Sequence, residues 1–232
     1  VYTRSHTGGG GWTTLRPMPA EWTIIYGRLR FLIKPMGFKH TGLFPEQAYN
    51  WDEMRALVGA RGGRPTVLNL FGYTGGASVA LAEAGARVTH VDAARNMVER
   101  CRQNAKLSGC PDDGIRYIVD DCSKFVAREK RRGNRYDGIL MDPPSYGRGP
   151  NSETWKLEDG ICELVRSAAE LLSDKPLFFL INSYTTGLQP TVLENILKLY
   201  LPSGSASAYE LTLPTSDRGI KLPCGCTGIW RA

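Results

Sequence analysis

Short apolar runs alternate along this chain with longer segments in which apolar residues recur every three or four positions. From residue 65 the rhythm is regular. Val67-Leu68-Asn69-Leu70-Phe71 predicts a buried strand, 77–84 a helix, 87–91 a second strand, and 93–107 a helix closed by Ser108-Gly109. A third strand is expected at 115–119, a helix at 122–131, and a fourth strand at 136–141 that stops at Asp142-Pro143-Pro144. A loop rich in Gly, Ser and Pro follows to 152. Leu157, Ile161, Leu164, Val165, Ala168 and Leu172 then fall on one face of a helix over 155–172. A strand at 176–181, a helix at 191–201 and two late strands near 208–213 and 227–230 complete the pattern. Strands alternating with helices build βαβ units. The prediction is an α/β fold with a doubly wound, mostly parallel, seven-stranded Rossmann-like sheet covered on both faces.

The first 45 residues break this rhythm. Residues 5–20 are rich in Gly and Pro and read as an irregular leader. Residues 22–33 are β-prone with a break at Gly27, which predicts a hairpin, and a helix is expected over 46–60, just after Pro45. The division expected is an extension over 1–45 and a larger ligand-binding domain over 46–232. The start, Val1-Tyr2-Thr3-Arg4, has neither an initiator Met nor an apolar secretory region, so an upstream segment is expected.

Composition narrows the class. The 232 residues are 42% hydrophobic and 22% charged, as in ordinary globular proteins. No apolar run reaches the roughly 18 residues of a membrane span. The net charge of +6 suits an anionic partner such as nucleic acid, and it is unevenly spread. Residues 1–45 hold Arg4, Arg16, Arg28, Arg30, Lys34 and Lys39 against Glu21 alone, and a second basic run spans 128–135. Six scattered cysteines without a secretion signal indicate free thiols and a cytoplasmic location. Cys224-Gly225-Cys226 is too close-set for zinc-finger spacing and the chain has only three His, so no metal site is expected.

The candidate chemistry lies at the predicted strand ends, where open α/β sheets bind ligands. Phe71-Gly72-Tyr73-Thr74-Gly75-Gly76-Ala77-Ser78 joins the first strand to a helix, and its small residues let backbone approach a ligand. The loop lacks the full G-x-G-x-x-G spacing of dinucleotide sites and by itself separates neither cofactor class. Asp92, with Ala93 beside it, ends the second strand and suits the hydroxyls of a ribose, or caps the next helix. Asp120-Asp121 ends the third, with a carboxylate for the amine of adenine and the Cys122 amide for a ring nitrogen, or again a cap. Asp142-Pro143-Pro144-Ser145-Tyr146 ends the fourth. Its proline carbonyls are candidate acceptors for an amino group, Asp142 for a proton, and Tyr146 for stacking on a base. A nicotinamide-dependent dehydrogenase has no use for this element. Upstream, Phe44 and Gln47 are candidates to close over a cofactor.

With these motifs in order, the chain resembles the class I S-adenosylmethionine-dependent methyltransferases of the large-subunit ribosomal RNA group, the RlmI-like proteins, over roughly residues 22–232. The matching stretches are His40-Thr41-Gly42-Leu43-Phe44-Pro45-Glu46-Gln47, the run from Val67 to Gly76, Val91-Asp92, Asp120-Asp121 and Met141-Asp142-Pro143-Pro144. The resemblance implies S-adenosylmethionine as cofactor and RNA, ribosomal above all, as substrate. It implies residues 73–78 around the methionine moiety, Asp92 on the ribose, Asp121 and Cys122 at the adenine, Asp142 near the amino acid end, and Phe44 and Gln47 completing the pocket. Two departures qualify it. Many members carry an N-terminal RNA-binding domain for which this chain has no room. Members that methylate cytosine C5 are expected to hold a cysteine after the fifth strand, where this chain reads Leu180-Ile181-Asn182-Ser183-Tyr184-Thr185. A base nitrogen is therefore the favoured methyl acceptor. A methyltransferase acting on DNA, protein or a small molecule is the alternative.

Overall fold

A β-branched and aromatic run interrupted by one glycine makes a hairpin when the glycine takes a positive φ, as Gly27 does at +57°. In the computed structural model, which describes residues 1–6, 9–37, 39–148 and 154–232, β1 (Tyr2–Arg4) pairs with β2 (Gly10–Trp12), and β3 (Trp22–Tyr26) pairs with β4 (Leu29–Ile33), both antiparallel. The leader expected to be irregular therefore carries a short ladder, with Tyr2 edge-on to Trp12 at 5.3 Å. β4 buries Leu29, Phe31 and Ile33 and exposes Arg30, the period of two expected of a half-buried strand.

A 3-10 turn (Pro45–Gln47) leads into α1 (Ala48–Arg61). There follow β5 (Thr66–Leu70), α2 (Gly76–Glu83), β6 (Arg87–Asp92), α3 (Arg95–Leu107), β7 (Ile115–Val119), α4 (Cys122–Arg132) and β8 (Gly138–Met141). After a short antiparallel pair, β9 (Tyr146–Arg148) with β10 (Thr154–Lys156), come α5 (Leu157–Ala169), β11 (Phe178–Ser183), α6 (Pro190–Tyr200), β12 (Ser205–Pro214) and β13 (Lys221–Arg231). Backbone donors of β4 reach α3: Arg30 N–H donates to Ser108 Oγ at 2.9 Å and Leu32 N–H to Asn104 Oδ1 at 2.9 Å. These two bonds staple the hairpin to the larger unit.

The seven-stranded sheet runs β12-β13-β11-β8-β5-β6-β7. β13 is antiparallel to both of its neighbours, and the pairings from β11 through β7 are parallel. Side chains alternate across β5. Leu68 and Leu70 pack with Phe125, Ile161, Leu193 and Trp230 on one face, and Val67 with Trp51, Val79, Cys101 and Phe31 on the other. From β5 the chain steps outward to β6 and β7, then returns to lay β8 on the other side. That reversal opens a crevice beyond the ends of β5 and β8.

Three expectations shift. β8 begins at Gly138, because Tyr136 turns its hydroxyl to Glu129 at 2.7 Å and bridges to Leu172 instead. The last two strands are longer than expected, since they pair with each other over almost their whole length. The loop expected up to 152 holds β9 and the start of a hairpin, and its residues 149–152 lie outside the described residues. Among the described residues no helix is long and apolar enough to cross a membrane.

Candidate cofactor cleft

The turn after β5 is built under strain. Phe71 and Tyr73 adopt φ of +58° and +51°, which non-glycine residues rarely do. Four backbone donors hold it. Phe71 N–H donates to Cys122 Sγ at 3.2 Å, Gly72 N–H to Val91 O at 3.0 Å, Tyr73 N–H to Asp92 Oδ2 at 2.8 Å, and Gly75 N–H to Gly72 O at 2.9 Å. Two glycines are required by contact. A Cβ on Gly72 would lie 2.3 Å from the His90 ring, and one on Gly75, whose φ is +85°, would lie 2.1 Å from Cys101 Sγ. Below the turn, Asn69 Nδ2 donates to Ser78 Oγ at 2.8 Å, and Ser78 Oγ lies 2.9 Å from His90 Nδ1. Burial pushes His90 down to about 4, so it is neutral, and its Nε2 has no partner among the described residues.

The strand ends converge on this turn. The Asp92 carboxylate accepts from Tyr73 N–H and from Ala94 N–H, both at 2.8 Å, and burial holds its pKa above the usual carboxylate range. Asp121 caps α4 by accepting from Lys124 N–H at 2.9 Å, while Asp120 is engaged by Arg128. Asp142 follows β8. Burial, reinforced by the nearby Glu46 charge, raises its pKa to about 7, even though the side chain opens on the crevice. Glu46 accepts the Tyr184 hydroxyl at 3.0 Å, and Tyr184 accepts Gln47 Nε2 at 2.7 Å. Gln47, Asn50, Asn182 and Thr227 form a buried ladder, with Asn50 Nδ2 at 2.7 Å from Gln47 Oε1 and 3.0 Å from Asn182 Oδ1. Tyr209 continues it by donating to Asn50 Oδ1 at 2.7 Å.

The crevice has a volume of about 730 Å³ and continues into a smaller recess of about 50 Å³. Phe44, Phe71, Tyr73, Asp92, Ala93, Asp121, Cys122, Asp142, Pro143 and Pro144 line the large space, and Gln47, Thr74, Gly76 and Ala77 the recess. Aromatic rings form one wall, with Phe44 5.5 Å from Tyr73 and 5.9 Å from Tyr184.

Three expected residues stand apart. Gly75 serves the turn from behind, against Cys101. Ser78 is fully buried in the network with Asn69 and His90. Tyr146 is 55% exposed and turned away from the crevice. The carbonyl of Pro144, expected to be open to a substrate amine, already accepts the Trp155 indole N–H at 2.9 Å.

Several lining residues went unread in the sequence: Lys39, His40, Trp155 and Tyr184 in the large space, Asn69 and Asn182 in the recess. Two carried a signal. Asn69 is a polar residue inside the apolar run of β5, and Asn182 is one inside that of β11. Trp155 lies beyond an irregular stretch and carried none.

A crevice of this volume suits a small organic cofactor. Its carboxylates at successive strand ends suit hydroxyl, amine and cationic groups, and the strained turn lets backbone close on them. A family model described as S-adenosylmethionine-dependent methyltransferase matches residues 5–196. The chain belongs to this family. The chain is also 32% identical to a solved SAM-dependent methyltransferase of Agrobacterium tumefaciens, with a TM-score of 0.92 over 99% of this chain and 76% of that one. It is 32% identical over 161 residues to the ribosomal RNA large subunit methyltransferase K/L of Shewanella pealeana, covering 69% of this chain and 20% of that protein. It is 31% identical over 129 residues to the ribosomal RNA large subunit methyltransferase I of Klebsiella pneumoniae strain 342, covering 55% of this chain and 31% of that protein. The chain thus spans a fifth to a third of the length of these curated relatives.

Proposed function

We propose that this methyltransferase modifies a base of RNA, ribosomal RNA above all, and that the methyl acceptor is a base nitrogen. The curated relatives support the substrate class. The observation that carries the acceptor is Asp142: a carboxyl raised to about 7 at the crevice, placed to take the proton that an amine must lose. S-adenosylmethionine, when bound, supplies a methyl group already activated on a sulfonium.

The chain's own residues bind, orient and move the proton. Asp92, with Ala93 beside it, accepts the ribose hydroxyls, and the Asp121 carboxylate and Cys122 backbone amide receive the adenine. The turn from Phe71 to Ala77 receives the amino acid end, with Phe44 and Gln47 closing that side. Asp142 serves both neighbours, bordering the amino acid end and facing the acceptor. Aromatic walls keep water out, and alignment of acceptor and methyl group does the rest. A base paired in a duplex must be flipped or presented single-stranded to reach Asp142.

Nitrogen is favoured over cytosine C5 because no activated thiol faces the crevice among the described residues. Cys122 lines it, but burial pushes its thiol well up, and its sulfur is occupied by the Phe71 amide. The end of β11, where a C5 nucleophile is expected, carries Asn182-Ser183-Tyr184. The proposed location is the cytoplasm, where free thiols persist and ribosomal RNA is found.

The test is methyl transfer from S-adenosylmethionine to protein-free large-subunit ribosomal RNA, followed by mass spectrometry of the nucleosides. An N-methylated nucleoside, with Asp142→Asn at least about 100-fold slower, is expected from the usual size of general acid–base effects. Formation of 5-methylcytidine would overturn the nitrogen acceptor. Transfer only to DNA, protein or a small molecule would overturn RNA.

A further inference from the structure

We propose that Trp155 is the surface on which the target base stacks, in the position that sequence alone assigns to Tyr146. The inference rests on the reading of the substrate as an RNA base.

The first observation is the register of the β9–β10 pair. Tyr146 stands opposite Lys156, and Gly147 opposite Trp155. Cross-strand partners share a face and successive residues alternate, so Tyr146 with Lys156 and Gly147 with Trp155 occupy opposite faces. Tyr146 and Lys156 are exposed, while Gly147 and Trp155 line the crevice beside Pro143 and Pro144. The hairpin thus turns the tyrosine outward and the tryptophan inward.

The second observation is how the indole is seated. Its Nε1–H donates to the Pro144 carbonyl at 2.9 Å, which fixes the ring in its plane and uses its one polar group. Behind it lies Gly160 of α5, where an added Cβ would fall 2.3 Å from Trp155 Cζ3 and 2.5 Å from Cη2. A ring held by one hydrogen bond and backed by bare helix backbone is pre-organised to stack, which every base allows.

The third observation concerns selectivity. With Pro144 O engaged by the indole, it is not an open site for the amino group of the base. That leaves the Pro143 carbonyl and the Asp142 carboxyl, which follow β8 and line the crevice, to face the acceptor atom, and of the two only Asp142 can take its proton. Trp155 then contributes grip and Asp142 contributes chemistry, from two sides of one proline pair.

Three variants, Trp155→Ala, Trp155→Phe and Gly160→Ala, test this on the full chain. Two readouts are used: S-adenosylhomocysteine affinity by calorimetry, and steady-state methyl transfer to protein-free large-subunit ribosomal RNA. Loss of one stacked base predicts a rise of roughly 10- to 100-fold in the KM for RNA in Trp155→Ala, with a smaller change in kcat. Trp155→Phe, which keeps a ring and removes the N–H, restores KM to within about threefold, because stacking needs only a π face. Gly160→Ala, which displaces the ring without removing it, raises KM in the same direction. Affinity for S-adenosylhomocysteine stays near wild type in all three, which shows that the crevice is intact. Trp155→Ala with an unchanged KM overturns the proposal, as does an equal KM rise in Trp155→Phe and Trp155→Ala. Should Trp155→Ala lose cofactor affinity through misfolding, Gly160→Ala against Trp155→Phe decides by the same criterion. A wild-type chain that transfers nothing to RNA instead removes the RNA reading itself, and this inference with it.

Discussion

The Asp92 carboxylate and the Tyr73 backbone amide are joined at 2.8 Å across the gap between β6 and the strained turn after β5. One side chain therefore ends a strand, closes a turn onto the Ala94 amide just ahead of α3 and holds Tyr73 at its positive φ. Asp92→Ala removes both bonds at once. Hydrogen bonds to a charged group contribute about 1.5–3 kcal/mol each, so affinity for S-adenosylhomocysteine should fall by at least roughly tenfold in calorimetry. The melting temperature should fall too, because the turn loses its anchor. An affinity within twofold of wild type would mean that Asp92 holds only protein.

Asp142 makes stability and activity respond to pH. Its pKa rises from an ordinary 3.8 to about 7 on folding, so the native state holds a proton that the unfolded chain releases. The penalty is absent below about pH 4 and complete above about pH 7. Asp142→Asn should therefore stabilise the chain more at pH 8 than at pH 4.5. The difference should be on the order of 2 kcal/mol, after discounting the rise from 3.8 to about 7 for the solvent that reaches the side chain. Equal stabilisation at both pH values in denaturant melts would refute this. If Asp142 accepts the acceptor's proton, wild-type kcat/KM should also climb through about pH 7 as the carboxylate forms.

His90 acts with the opposite sign over nearly the same range. Its pKa falls from 6.5 to about 4, so the unfolded chain takes up a proton below pH 6.5 that the native chain refuses. The stability it contributes is whole above pH 6.5 and declines toward pH 4, by about 3 kcal/mol for a shift of this size. His90→Gln should be less stable at pH 7, from the packing it disturbs beneath Gly72, yet less sensitive to acid. The gap between the two proteins should narrow from pH 6.5 to pH 4. A constant gap in urea melts across that interval would show His90 to be protonated in the native state.

Gly75 is constrained twice, by its φ of +85° and by Cys101 Sγ, which would sit 2.1 Å from an added Cβ. Gly75→Ala should cost about 3 kcal/mol in strain and overpacking. That corresponds to a drop of roughly 6–12 °C in melting temperature for a chain of this length. Cys101→Ala in the same chain should recover only a part, since it removes the sulfur and leaves the dihedral strain. A Gly75→Ala variant that melts with wild type would mean that the turn relaxes freely.

The sheet was legible because its strands are apolar runs and its helices carry apolar faces at helical spacing, from Val67 through Leu197. The strand-end carboxylates were legible for the same reason: once the strands were placed, Asp92, Asp121 and Asp142 could fall nowhere else. What escaped was long-range or local in a way that periodicity does not record. Trp155 enters the crevice through the register of a three-residue strand. The Tyr184 hydroxyl meets Glu46 from 138 positions away. Ser78 was misread because a small polar residue in a glycine-rich turn looks like ligand contact, whereas Asn69 and His90 bury it. Tyr146 was misread because a tyrosine next to two prolines looks poised to stack, and nothing local reveals on which side of the hairpin it will stand.

The ladder of Gln47, Asn50, Asn182 and Thr227 also bears on traffic. Swinging the corner at 44–47 outward would take the Gln47 acceptor from the Asn182 amide and one of three acceptors from the Asn50 amide, at about 1–3 kcal/mol for an orphaned buried group. That side of the crevice is thus a fixed jamb and not a door. On the reading proposed above, exchange of spent for fresh cofactor falls to the opposite threshold, where Ala93 and Asp121 border solvent.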